Sequence, residues 1–318
     1  MQNNVRIFGL FLIGLVLLVK GGDWFVEAAV RMAERFRIPQ FIIGATVVSV
    51  ATTLPEILVS VIAAAEGRTE IAVGNAIGSV TANTGLIMAL CLICLPPAIR
   101  RNQFVPEGIL MLASCTALWI LLRGGWLLVP GCAVLLVFFD VFLLESIHAA
   151  KQQIGLQPGG TTPVGPEISM GNTIAIFLLG AGCLAVGSDL LVDNGTRLAM
   201  MFGVSERAIA VTMVAVGTSL PELVTAITSI TKKQASLSVG NILGANIIDL
   251  TLILPLCTIL SGGRLSTGPQ AAGLDLPVCA MEAAIAVIPT MVTKKFSRFQ
   301  GIMMLLLYFS YLIFAVRA

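Results

Sequence analysis

Two glutamates occupy positions where a membrane chain can least easily carry charge. Glu56 lies in VSVATTLPEILVS, residues 48–60, and Glu222 in VAVGTSLPELVTA, residues 214–226, each within a long apolar run. A carboxylate at the bilayer centre costs on the order of 3 kcal/mol on insertion scales. A third acid, Asp249, falls in a further apolar run, and none of these stretches holds a Lys or Arg that could neutralise it. Mobile cations are the obvious counter-charges. Protonated carboxyls joining helices are the bland alternative, but they leave unexplained the hydroxyl residues that recur in register beside both glutamates.

The neighbouring residues have the chemistry of a hard-cation site. Proline inside a helix removes one backbone hydrogen bond and clashes with the carbonyl four residues earlier; for Pro55 and Pro221 those carbonyls belong to Ala51 and Gly217. A carbonyl freed at membrane depth must be satisfied, and a bound ion would do so. Ser49, Thr52 and Thr53 crowd this turn in one half, Thr218 and Ser219 in the other. At helical spacing Ser49, Thr52 and Glu56 share a face. The next runs add Asn75, Ser79 and Asn83, and Asn241, Ala245 and Asp249, at the same four-residue spacing. Gly74, Gly78, Gly240 and Gly244 keep these helices slim enough for close approach. Carboxylate, hydroxyl and carbonyl oxygens suit Ca2+, which takes about 6–8 such ligands. The lack of nitrogen and sulfur donors argues against zinc and copper.

An internal duplication positions these groups. Aligning residues 21–90 with 187–256, an offset of 166, gives 21 identities in 70 without a gap, among them Asp23/Asp189, Arg31/Arg197, Thr46/Thr212 and the Leu-Pro-Glu segments. One register through such residues marks a repeat. The 318-residue chain is 57% hydrophobic and 11% charged, against about 25% charge in soluble domains. Ten apolar spans are expected, near 5–30, 38–65, 71–98, 105–122, 127–147, 172–196, 205–230, 236–260, 271–292 and 299–316. Five spans per half is odd, so the second half enters the membrane in the opposite sense. The expected fold is an all-α integral membrane protein of ten transmembrane helices, arranged as two inverted-topology five-helix repeats. Residues 1–150 form the first repeat, 151–170 a cytoplasmic linker around GLQPGGTTPVGPE, and 171–318 the second repeat. The N-terminal run has signal-peptide character, but its counterpart in the second half marks it as a retained helix. With the N-terminus outside, the inner loops carry eleven Lys and Arg and the outer side seven, which favours that orientation in a cell (inner) membrane. A net charge of +2 gives no footing for nucleic acid, and the seven cysteines, including Cys91 and Cys94 one helix turn apart, lie scattered in apolar segments.

VSVATTLPE with GNAIGSVTAN, and VAVGTSLPE with GNILGANIID, resemble the two alpha-repeats of the Na+/Ca2+ exchanger family within the cation/calcium antiporter superfamily, over motifs at 44–90 and 210–256. The resemblance implies an antiporter that exchanges Ca2+ for Na+ by alternating access, not an enzyme, with no cofactor and no obligate protein partner. It implies a central cation site of Glu56, Asn83, Glu222 and Asp249, with backbone carbonyls from Thr52 and Thr218. It implies flanking Na+ positions at Ser49, Thr53, Ser79, Ala215 (carbonyl) and Ser219. Alternating access around a fixed site leads us to expect the helices at 5–30 and 172–196 to slide over the core. The chain departs from the family pattern at Ala51, Val80 and Ala245, and Ala245 lacks a hydroxyl expected of a Na+ ligand. That leaves the driving ion open, including a divalent-cation antiporter coupled to K+ or H+. Proton-driven relatives resemble a G-N-x-x-E pattern, whereas Gly78 and Gly244 stand at those positions. An intramembrane protease built on Ser219 would need a base, and the sole histidine, His148, lies near the linker. A non-transporting scaffold or receptor would show no ion-dependent stabilisation, whereas an exchanger would show a Ca2+ shift in melting temperature. Asp23 and Asp189 read as structural or gating residues, and Asp140 and Glu282 have no assigned part.

Overall fold

The computed structural model describes residues 2–98, 101–155, 169–201 and 217–317. The first half runs α1 (Gln2–Phe36), α2 (Gln40–Thr52), α3 (Leu54–Ala65), α4 (Thr69–Cys94), α5 (Arg101–Leu121), β1 (Trp126–Leu128) and α6 (Val129–Gly155). The second runs α7 (Met170–Met201), α8 (Leu220–Thr231), α9 (Ala235–Leu260), β2 (Arg264–Ser266), α10 (Ala271–Thr293) and α11 (Arg298–Arg317). Eight of the described helices are long and apolar enough to cross a membrane, and α2 with α3 forms a ninth, bent span. The short apolar helix α8 is the described part of the expected span 205–230. Its earlier residues, with Thr212 and Ala215 and nearly all of the linker motif, lie outside the described residues.

The span expected at 38–65 is two helices, bent by 44°. Pro55 occupies the opening turn of α3, where proline's missing N–H costs no intrahelical bond. The Thr53 N–H still bonds the Ser49 carbonyl at 2.9 Å and the Ile57 N–H bonds the Thr53 carbonyl at 3.0 Å, which confines the break to one turn. Pro221 opens α8 in the same way, and the Leu223 N–H bonds the Ser219 carbonyl at 3.0 Å.

Helices α4 and α9 form the centre: 72% and 83% of their most apolar windows are buried, against 28% for α1 and α7. Small residues permit this. A Cβ on Gly44 would strike the Leu237 carbonyl, and one on Gly240 the Phe41 carbonyl, so α2 and α9 cross backbone to backbone. A peripheral pair, α1 and α7, meets through four glycines. A Cβ on Gly14 would lie 2.9 Å from the Gly187 oxygen and one on Gly187 would lie 2.9 Å from the Gly14 oxygen; Gly21 and Gly180 face one another likewise. Gly14 is the repeat mate of Gly180, and Gly21 of Gly187. Each glycine therefore packs on the mate of the other, the self-complementary contact that a two-fold axis produces.

One element departs from the all-α expectation. Strands β1 and β2 pair antiparallel, Trp126 opposite Ser266 and Leu128 opposite Arg264. Positive φ at Gly125, Gly262 and Gly263 supplies the turns that lead into them. The Arg264 guanidinium lies 3.6 Å over the Trp126 ring. Their pairing brings the connection after α5 beside the connection after α9.

The glycine crossing yields a stability prediction. A Cβ at Gly180 would sit 2.7 Å from the Phe25 backbone nitrogen, whereas Gly182 has nothing within 4 Å. Gly180→Val should destabilise by about 1–3 kcal/mol through overpacking, and Gly182→Val should not. Thermal unfolding in detergent checks this; equal melting temperatures would show that the helices separate at no cost.

Candidate ion-binding site

The break between α2 and α3 brings a carboxylate to the centre of the bundle. Glu56 stands in the first turn of α3, and Glu222 in the first turn of α8. Asn83 and Asp249 each begin a π-helical turn, Asn83–Met88 in α4 and Asp249–Ile253 in α9. These two positions are repeat mates. A π turn takes in one extra residue and is frequent at functional sites.

Glu56, Asn83, Glu222 and Asp249 are all at most 1% exposed, so none faces lipid. Glu222 and Asp249 lie near enough to Glu56 to act on its charge. All six oxygens of the three acids, both amide atoms of Asn83 and the hydroxyls of Thr53 and Ser219 are buried without a hydrogen-bond partner among the described residues. No Lys or Arg among the described residues pairs with any of the three acids. No group of three His, Cys, Asp or Glu side chains among the described residues could by itself hold a metal. A hard cation here would therefore draw part of its ligand set from hydroxyl, amide and carbonyl oxygens.

The remaining predicted residues have partners. Ser49 donates to the Ala45 carbonyl at 2.6 Å, and Thr52 reaches the Asn241 side-chain oxygen at 3.2 Å. Ser79 and Thr218 bring their hydroxyl oxygens within 3.4 Å of each other. The Thr52–Asn241 and Ser79–Thr218 contacts join the halves, α2 to α9 and α4 to the turn before α8. Asn75 braces α3, donating to Ser60 Oγ at 2.9 Å and to the Glu56 carbonyl at 3.4 Å. Ala245 is buried in α9, and a Cβ on the adjacent Gly244 would strike the Ala45 carbonyl. Ala215 lies outside the described residues.

Sequence reasoning missed two residues. Ser188 of α7 donates to the Gly217 carbonyl at 2.8 Å. The carbonyl four residues before Pro221 is thus satisfied by a side chain, where the sequence suggested a bound ion. Ser188 aligns with Gly22, so no repeated pattern flagged it. Asn246 donates to Thr84 Oγ1 in the π turn of α4 at 2.8 Å and so ties α9 to α4.

The two-fold relation fails in one respect. Gly22 of α1 lies against Val224 and Thr228 of α8. The mates of Val224 and Thr228 are Leu58 and Ile62 on α3, which are 58% and 53% exposed. Helix α1 covers α8 while α7 leaves the matching face of α3 bare. On the covered side Lys232 Nζ lies 3.5 Å from Asp23 and 3.8 Å from Glu27. Asp189 and Asp140 are exposed. Glu282 is buried, with its carboxylate against Gly85 of the α4 π turn.

Comparison with known proteins gives a consistent match. The family model described as sodium/calcium exchanger protein matches residues 6–147 and 172–317. An uncharacterized membrane protein of Methanocaldococcus jannaschii is 32% identical over 307 residues, covering 94% of this chain and 95% of its own. The sodium/calcium exchanger MaX1 of Methanosarcina acetivorans is 27% identical over 344 residues, covering 96% and 97%. The solved structure of the sodium-calcium exchanger NCX_Mj, soaked with 2.5 mM Na+ and 10 mM Sr2+, superposes with a TM-score of 0.82 at 29% identity, over 96% of this chain and 97% of that one.

Ser188→Ala strips the Gly217 carbonyl of its donor and should cost about 1–3 kcal/mol, read as a lower melting temperature. Ser188→Thr keeps the hydroxyl and should recover most of the loss. An unchanged melting temperature for the alanine variant would show that the bond carries no weight.

Proposed function

Since the chain belongs to the sodium/calcium exchanger protein family, a family of membrane transporters rather than enzymes, we propose that its Ca2+/Na+ exchange runs through the cage around Glu56. The site comprises Glu56, Asn83, Glu222 and Asp249, with carbonyls from Thr52 and Thr218. Ser49, Thr53, Ser79, Ala215 and Ser219 supply flanking Na+ positions. One observation carries this reading: three buried acids on separate helices, near enough for Glu222 and Asp249 to act on Glu56, have no hydrogen-bond partner or Lys/Arg counter-charge among the described residues. One Ca2+ or several Na+ can balance that charge.

Electrostatics then couples the ions. An empty cage of about three negative charges cannot be closed from water without a large desolvation cost, whereas a filled one can. Access therefore changes sides only with ions aboard, and the product is exchange rather than leak. Helix α1 over α8, with the matching face of α3 exposed, fits one of two access states. Exchanging the conformations of the repeats would bring Ser188 of α7 over Leu58 and Ile62. The Lys and Arg distribution assigns the open side to the exterior. The ions are cargo, and the mechanism needs no cofactor. Ala245 gives no hydroxyl where the second half would supply one, so the cage offers fewer Na+ ligands from that half.

Proteoliposomes loaded with Na+ provide the test. Glu222→Gln keeps the shape and removes one charge, and Na+-driven Ca2+ uptake should fall at least about tenfold, the size expected for losing a charged ligand. Ca2+ should raise the melting temperature of the wild type by mass action and that of the variant less. Full uptake by the variant would contradict the assignment.

A further inference from the structure

The repeat relation predicts a feature on the inner side that the structure lacks. On the outer side β1 and β2 zip together the connections after α5 and after α9. The counterpart of the connection after α5 is the stretch after α10, and Ala98, in the stretch after α4, is the mate of Arg264. Val292 and Thr293 stay helical, and Leu95–Ala98 form no strand. The reason is local. The turn into β2 needs φ of 77° and 87° at Gly262 and Gly263, and their mates are Pro96 and Pro97. Proline is locked near −65° and has no N–H to donate to a ladder, so this seam cannot zip.

A cavity of about 360 Å³ lies in the place of the missing strands, lined by Pro96, Pro97, Phe104, Val105, Lys294 and Lys295 among others. That is the size of a small-molecule pocket. It lies where α4 and α10 end and α5 and α11 begin, so its mouth is at the membrane boundary. Lys294 ends α10 with φ 60°, and neither it nor Lys295 has an ion-pair partner among the described residues. The cation of the strand-closed seam, Arg264, is instead stacked on the Trp126 ring. Two cations at the mouth of an apolar cleft match a phosphate joined to hydrocarbon. Basic pockets between helix ends on the cytoplasmic side are known hosts for anionic headgroups.

We propose that this cleft binds an anionic phospholipid, with the phosphate held by Lys294 and Lys295 and the upper acyl chain against Pro97, Phe104 and Val105. The bound lipid fills the seam that strands close on the opposite side. An inorganic anion would gain nothing from the apolar walls.

The test is thermal unfolding of the full chain in nanodiscs of phosphatidylcholine with or without phosphatidylglycerol. Phosphatidylglycerol should raise the melting temperature, and Lys294→Gln with Lys295→Gln should lose most of that rise. Both lysines are exposed, so the pair is not expected to disturb folding. Lys151→Gln with Lys233→Gln removes the same charge from outside the cleft and should keep the rise. The proposal is overturned if the cleft variant keeps the full rise. It is equally overturned if the control loses as much, which would mean surface potential alone, or if water-soluble glycerol phosphate reproduces the rise in pure phosphatidylcholine.

Discussion

Mutual repulsion among carboxylates closed off from water is the constraint on which the rest of this molecule depends. Glu56, Glu222 and Asp249 are buried with no protein cation to offset them among the described residues. Interactions between charges strengthen as the local dielectric falls, so three acids in a dry core favour separation unless positive charge enters. The fold resists that separation through neutral contacts. Thr52 bonds Asn241, Ser79 meets Thr218, and Asn246 bonds Thr84, each tying an element of one half to an element of the other.

Close packing supplies the remaining rigidity. Lipid offers apolar side chains no hydrophobic reason to associate, so tight contact and hydrogen bonds must hold the helices together. Glycines at the α2–α9 crossing let backbones touch, and π turns at Asn83 and Asp249 re-aim side chains without ending a helix. By contrast α1 and α7 lie at the edge, joined to one another through Gly14, Gly21, Gly180 and Gly187. A rigid centre carrying the acids and a paired rim resting on it is the construction that the proposed alternating access needs.

Much of this was legible because the repeat register is strict. An offset of 166 matched the Leu-Pro-Glu glutamates, the prolines and the glycines before any coordinates, and it also matches the π turns that begin at Asn83 and Asp249. Spans were right in kind, though α1, α6 and α7 run several residues beyond their apolar stretches because helices continue into the interface. Pattern reasoning failed where one half differs from the other. Ser188 has a glycine for its mate, Pro96 and Pro97 have glycines for theirs, and the helix breaks at Thr53 rather than kinking at Pro55. Each depends on what a neighbouring element presents, and a linear pattern does not carry that information.

Equilibrium binding of radiolabelled Ca2+ to the purified chain, titrated with Na+, tests the shared cage most directly. If both ions balance the same three carboxylates, Na+ will displace Ca2+ completely and cooperatively, and raising Ca2+ will shift the Na+ midpoint upward. Ca2+ binding that persists at saturating Na+ would mean separate sites, and the account of exchange through one anionic cage would be wrong.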